Sequence, residues 1–164
     1  MTGVQTCALP IYDRSFYDLP RKFNIAFDGG GLIGTVEDTN DIGCRAVKVG
    51  DEVFFRIAIG GATGHKAFAR DIGVLVKPAE LNKVVSAMVR VYIANGNRGD
   101  RKKARLKHLL ETWTLEKYLA ETEKVLGYSL MRTTEEKSEI GDRKFLTRTS
   151  ACSPRSSAAS TTSA

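Results

Sequence analysis

Residues Cys44–Val49 (CRAVKV) and Val53–Ile59 (VFFRIAI) are two strand-like runs separated by a turn containing Gly50-Asp51. This spacing is the strongest constraint in the chain. A parallel return needs a crossover of a dozen or more residues, so two strands this close must fold back as an antiparallel hairpin. Gly-Asp suits the tight reversal. Upstream, Lys22–Phe27 (KFNIAF) alternates polar and apolar, as a half-buried strand should. The run Gly29-Gly30-Gly31 ends it.

Beyond Ile59 the apolar period changes from two to 3.6. Pro78 opens a helix in its first turn, where its missing N–H costs nothing. Leu81, Val84, Val85, Met88 and Tyr92 then form one apolar face, and Asn95-Gly96 stops it. Asp100 is placed to cap a second helix running to about Glu111. Thr114 is placed to cap a third, with Leu115, Leu119 and Val125 facing inward. Strands followed by helices predict an α+β fold, with a mixed or antiparallel sheet and C-terminal helices. No internal repeat is present.

The chain of 164 residues has the length of one domain and carries a formal net charge of +6. That excess calls for an anionic partner: nucleic acid, an anionic membrane or a polyanionic small molecule. No apolar run approaches the roughly 20 residues that span a bilayer. Cys7, Cys44 and Cys152 are far apart and make neither a zinc pattern nor a disulfide framework. This suits a reducing, cytoplasmic setting, with Cys44 a small buried apolar residue. His65 and His108 stand alone, and no metal site is expected from them.

The two ends differ in character from the middle. Met1–Ile11 (MTGVQTCALPI) lacks the charged start and apolar core of a signal peptide. It resembles the conceptual translation of a sequencing-adapter strand read from a false start, which would place true coding sequence upstream of Tyr12. The apolar periodicity stops near Thr133, and Ser150–Ala164 is rich in Ser, Ala and Thr. Such a segment cannot build a core. It reads either as a disordered tail or as a frame slip. The expected organisation is therefore a non-native segment 1–11, a domain over 12–132 and a low-complexity tail over 133–164.

Four stretches carry chemistry. In Leu19–Asn24 (LPRKFN), strand geometry would put Lys22 and Asn24 on one face, seating a small anion beside an ammonium and an amide. A solvated edge strand explains the same residues. Asn40–Gly43 (NDIG) reads by itself as a polar turn. Gly60-Gly61 ends a strand and permits close backbone approach to a ligand. Asn97–Lys107 (NRGDRKKARLK) crowds Arg101, Lys102, Lys103, Arg105 and Lys107 at a helix start, where the helix dipole already disfavours cations. With Arg98 it asks for a polyanion, or is a solvated basic face.

Taken in order, these stretches resemble the first siroheme-embracing domain of the ferredoxin-dependent nitrite and assimilatory sulfite reductases. The family's LPRKF followed by Asn or Lys is present at Leu19–Asn24, NDIG at Asn40–Gly43, strand plus glycines at Ile57–Gly61, and NRxDRxxAxxK at Asn97–Lys107. The resemblance covers about Tyr17 to Arg132. It implies siroheme, whose rim carries eight carboxylates, and six-electron reduction of nitrite to ammonia or of sulfite to sulfide.

By the same resemblance Lys22 and Asn24 are the catalytic residues at the bound anion. Arg21, Asn40, Gly60, Gly61, Arg98, Arg101, Arg105 and Lys107 are cofactor-binding. A 4Fe-4S cluster is implied too. Its cysteines, in CxxxxxC and CxxxC spacing, belong to a later domain and are absent from this chain. The implied partners are the rest of the same polypeptide, including a preceding half-domain, with ferredoxin as electron donor. The isolated chain is expected to be inactive.

Sulfite-type relatives tend to place a second Lys where Asn24 stands, so the resemblance leans toward nitrite, with sulfite as the alternative substrate. A small basic nucleic-acid-binding module is the competing reading. It lacks aromatic interleaving and any nucleic-acid motif, so specific nucleic-acid binding is not expected.

Overall fold

The computed structural model describes residues 13–17, 19–30 and 34–133. The expectations for segment 1–11, for Cys7, and for the tail beyond Thr133 with Cys152 lie outside them. The sheet has five strands in the order β1 (Ile25–Asp28), β2 (Ile42–Val49), β3 (Glu52–Ile59), β4 (Arg70–Val76) and β5 (Met131–Arg132). β1 runs parallel to β2, and every other pair is antiparallel, so the sheet is mixed. The helices α1 (Leu81–Asn95), α2 (Leu106–Thr112) and α3 (Leu115–Leu126) follow, as α+β patterning predicts.

The β2–β3 hairpin forms as expected, with Val49 opposite Glu52 and Gly50 at φ +61 in the turn. The expected strand over Lys22–Phe27 starts later, at Ile25. The cause is local: the Asn24 N–H bonds the Asp41 carboxylate at 3.0 Å instead of a neighbouring strand's carbonyl. β4 and β5 lie outside the sequence expectations. Gly73, at φ +66, interrupts β4 beside a register shift in β3, and its N–H bonds the Asp71 carboxylate at 2.7 Å. The alternation is broken where the bulge sits.

The core lies between sheet and helices. Ile42, Cys44, Ile57, Ile59, Val74 and Val76 meet the α1 face of Leu81, Val84, Val85, Met88 and Tyr92. α3 seals the outer side of α1. Tyr118 is wholly buried, and its hydroxyl donates to the Met88 carbonyl at 2.6 Å. Side chains alternate across a strand, so Val47, Phe54 and Leu75 form a smaller cluster on the opposite face.

Three helix expectations change. Pro78–Glu80 form a lead-in turn, and α1 itself begins at Leu81. The helix expected from Asp100 to Glu111 is split. Asp100 caps a short 3-10 turn, Arg101–Lys103, by accepting the Lys102 N–H at 2.8 Å; Arg105 is then extended, and α2 starts at Leu106. Arg101, Lys102 and Lys103 are therefore outside any α-helix. Thr114 caps α3 as expected, but Val125 is half exposed and Leu126 points inward in its place. Gly96 stops α1 in an extended conformation; a Cβ there would lie 2.7 Å from the Tyr92 ring.

Burial pushes the Cys44 thiol up to about 12. At pH 8 it should resist iodoacetamide in the folded chain and react after denaturation, as read by peptide mass spectrometry. The unfolded thiol ionises near 9.0, so this group should lower stability progressively as pH rises from about 9.0 toward 12. Urea unfolding across that range is the check.

Candidate functional site

All four chemistry-bearing stretches meet at Asp41, which has no exposed surface. The Arg105 guanidinium bonds both its oxygens, Nε to Oδ1 at 3.2 Å and Nη2 to Oδ2 at 2.7 Å. Oδ2 also accepts the Asn24 N–H. The Asp41 carbonyl accepts the Gly60 N–H at 2.9 Å, and the Asn40 carbonyl accepts that of Gly61 at 3.0 Å. The Asp41 carboxylate thus ties the LPRKFN and basic stretches to NDIG, and the backbone carbonyls of Asn40 and Asp41 tie in the glycines.

Aromatic packing adds a second tie. The Phe23 ring lies 5.1 Å from that of Tyr92, centroid to centroid, and the Tyr92 hydroxyl donates to the Ala104 carbonyl at 2.8 Å. Burial raises the Tyr92 phenol above its usual range; Asp41 adds to the rise, and Arg105 and Arg98 oppose it. The charge of Arg98 is therefore felt at this junction.

The expected site residues fall into two groups. Lys22, Arg98 and Arg101 are exposed, and Arg21, Asn24 and Lys107 are part-buried. Lys107 lies 3.4 Å from Glu111 across one helical turn. Among the described residues no carboxylate lies within ion-pair distance of Arg21, Lys22, Arg101, Lys102 or Lys103. The second group is engaged within the chain. Arg105 is buried against Asp41, and Asn40 turns its amide back onto the Val36 carbonyl at 3.2 Å. Gly60 and Gly61 are buried, and their close approach is to this chain itself. A Cβ on Gly61 would sit 2.4 Å from the Asn40 carbonyl oxygen and 2.5 Å from that of Asp38. A Cβ on Gly60, at φ +90, would meet Leu110 at 2.9 Å.

Sequence reasoning missed Asp41. A lone Asp in a polar turn reads only as a turn, and its partner lies 64 positions away. The available signal was the apolar Ile42 and Gly43 beside it, which place Asp41 at the mouth of a buried strand, where a charge must be paired.

The sequence pattern described as "Nitrite and sulphite reductase 4Fe-4S domain" matches residues 10–130. The chain belongs to this family. It is 33% identical over 128 residues to a ferredoxin–nitrite reductase of Leptolyngbya laminosa, covering 77% of this chain and 25% of that protein. It is 34% identical over 134 residues to a sulfite reductase [NADPH] hemoprotein beta-component of Chromohalobacter salexigens, covering 77% and 23%. Among solved structures it is similar to the Mycobacterium tuberculosis NirA protein, with a TM-score of 0.66 and 28% identity over 73% of this chain and 22% of that one. The chain spans about a quarter of the length of these reductases. Among the described residues no group of three or more His, Cys, Asp or Glu could hold a metal ion, and no helix is long and apolar enough to cross a membrane.

The glycine pair makes a test of this junction. Gly61→Ala should destabilise the chain by about 3 kcal/mol, because backbone on both sides must move. Gly64→Ala, whose Cβ meets nothing within 4 Å, should change stability by under about 0.5 kcal/mol. Urea midpoints of the two variants give the comparison.

Proposed function

We propose that this chain supplies part of the siroheme and anion pocket of a reductase that converts nitrite to ammonia. The observation that carries the reading is the convergence of the four stretches on Asp41, which joins the two segments that carry the exposed cations. The chemistry of that set fits siroheme. Asn97–Lys107 holds six cations and one carboxylate, and that carboxylate, Asp100, caps the Lys102 N–H. Arg21, Arg98, Arg101 and Lys107 would hold rim carboxylates through charge-assisted hydrogen bonds. Asn40, Gly60, Gly61 and Arg105 would serve the cofactor indirectly, by shaping the backbone that carries those cations.

Siroheme, when bound, would pass electrons from the donor to the anion at its iron. The chain's own contribution is electrostatic. The Lys22 ammonium holds the anion, stabilises charge that develops on its oxygens and delivers a proton to them. The Asn24 amide donates a hydrogen bond without adding charge. The 4Fe-4S cluster and its cysteines would come from the remainder of the polypeptide, and ferredoxin, as in the name of the Leptolyngbya relative, would be the electron donor. The reaction would take place in the cytoplasm. Sulfite is the second reading, favoured by the relatives named as sulfite reductases.

Asn24 tips the balance toward nitrite. A second ammonium about 4 Å from the anion would add roughly 4 kcal/mol of attraction per unit charge at an effective dielectric near 20, before desolvation. A dianion gains more from it than a monoanion. In the full-length enzyme Asn24→Lys should move the ratio of kcat/KM values toward sulfite. An unchanged ratio, or an unaltered enzyme that already prefers sulfite, removes the nitrite assignment and leaves the family intact.

The 164-residue chain alone should not retain either cofactor. After reconstitution with both, gel filtration should strip the visible absorption from the protein. A stoichiometric haem-like band that survives would show that the chain is a self-sufficient cofactor domain.

A further inference from the structure

We propose that Asp41 is the positioning residue for Lys22 and Asn24, and that Arg105 serves it as internal counter-ion. The inference rests on the reading above that Lys22 and Asn24 meet the anion. Asp41 is fully buried, and its two oxygens carry three hydrogen bonds, two from Arg105 and one from the Asn24 N–H. A buried pair needs only the first two to balance its charge. The third reaches a backbone 17 positions away, at the point where Lys22–Asn24 joins the sheet.

The anchor itself is stiff. Asp41 precedes β2, and its carbonyl is tied to Gly60 at the end of β3. The parallel ladder between β1 and β2 starts one residue later, with Ile25 opposite Ile42, and the Ile42 N–H donates to the Asn24 carbonyl at 3.1 Å. Asn24 is therefore held through both its N–H and its C=O, and Phe23 packs on Tyr92. Lys22, exposed, leaves from this fixed base with no ion-pair partner among the described residues. Without the Asp41 acceptor, the Asn24 N–H has no sheet partner, and residues 22–24 keep only the Ile42 bond and the Phe23 packing to fix them. An ammonium displaced by about 1 Å loses much of its effect on a bound anion.

The test uses the full-length, cofactor-loaded reductase containing this chain. Asp41→Leu with Arg105→Met replaces both polar groups by apolar ones of similar shape, which buried ion pairs often tolerate. Asp41→Glu keeps the charge and shifts the carboxylate by one methylene; it decides the matter if the apolar pair does not fold. Each should lower kcat/KM for nitrite about tenfold, through a higher KM and a lower kcat, since Lys22 both holds the anion and serves the chemical step. Without substrate, hydrogen exchange at the Asn24 amide should quicken about tenfold. The KM effect should shrink in a Lys22→Gln background, since only the Asn24 amide is then left to be displaced. If Lys22→Gln raises KM but the Asp41 variants do not, or if the effects multiply, the positioning role is overturned and the anion seat stands. If Lys22→Gln leaves KM unchanged, the anion-seat reading falls, and the positioning role with it.

Discussion

The buried pair of Asp41 and Arg105 is the interaction on which the rest of this structure depends. Removing two charges from water costs several kcal/mol per ion, and close bidentate geometry is needed to offset it. That geometry is present, with contacts of 2.7 and 3.2 Å. The pair joins the first strand of the hairpin to the loop ahead of α2. Two distant parts of the chain thereby share one fixed point, and the backbone bonds of Asn24, Gly60 and Gly61 are arranged around it.

The same pair sorts the basic residues. Arg105 is neutralised internally and adds no net charge to the surface. Arg21, Lys22, Arg98, Arg101, Lys102 and Lys103 lie close in sequence to Asn24 and Arg105, the partners of Asp41, five of them exposed and Arg21 part-buried. The extended conformation at Arg105 separates Arg101–Lys103 from α2, while Arg105 stands at the N-cap of that helix and Lys107 in its first turn. Arg98, Arg101, Lys102 and Lys103 remain as an exposed run of positive charge, which suits an anionic ligand.

Membership of the nitrite and sulphite reductase family gives that charge its context. The matched reductases are about four times as long as the aligned part of this chain. Ile25 and Phe27 on β1 are partly exposed, as is Phe68 ahead of β4. The described part of the chain thus combines a well-formed core with a cationic junction and uncovered apolar side chains.

The sequence by itself determined the hairpin, the apolar face of α1, the Thr114 cap and the α+β class. Each follows from neighbours within a few positions: a turn too short for a crossover, a 3.6 period, a hydroxyl three residues from the N–H it accepts. The four stretches were also legible as a set, through their order along the chain. Only the tertiary structure decided what their residues do for one another. Asp41 reads as part of a turn until Arg105 arrives from 64 positions away. Gly60-Gly61 signals a close approach without naming the partner, and at Gly61 the backbone of residues 38–40 occupies the place a Cβ would take. β4 is hidden by its bulge, and β5 by having two residues. Pairing of a buried charge and filling of space depend on distance in three dimensions, and a linear pattern records only distance along the chain.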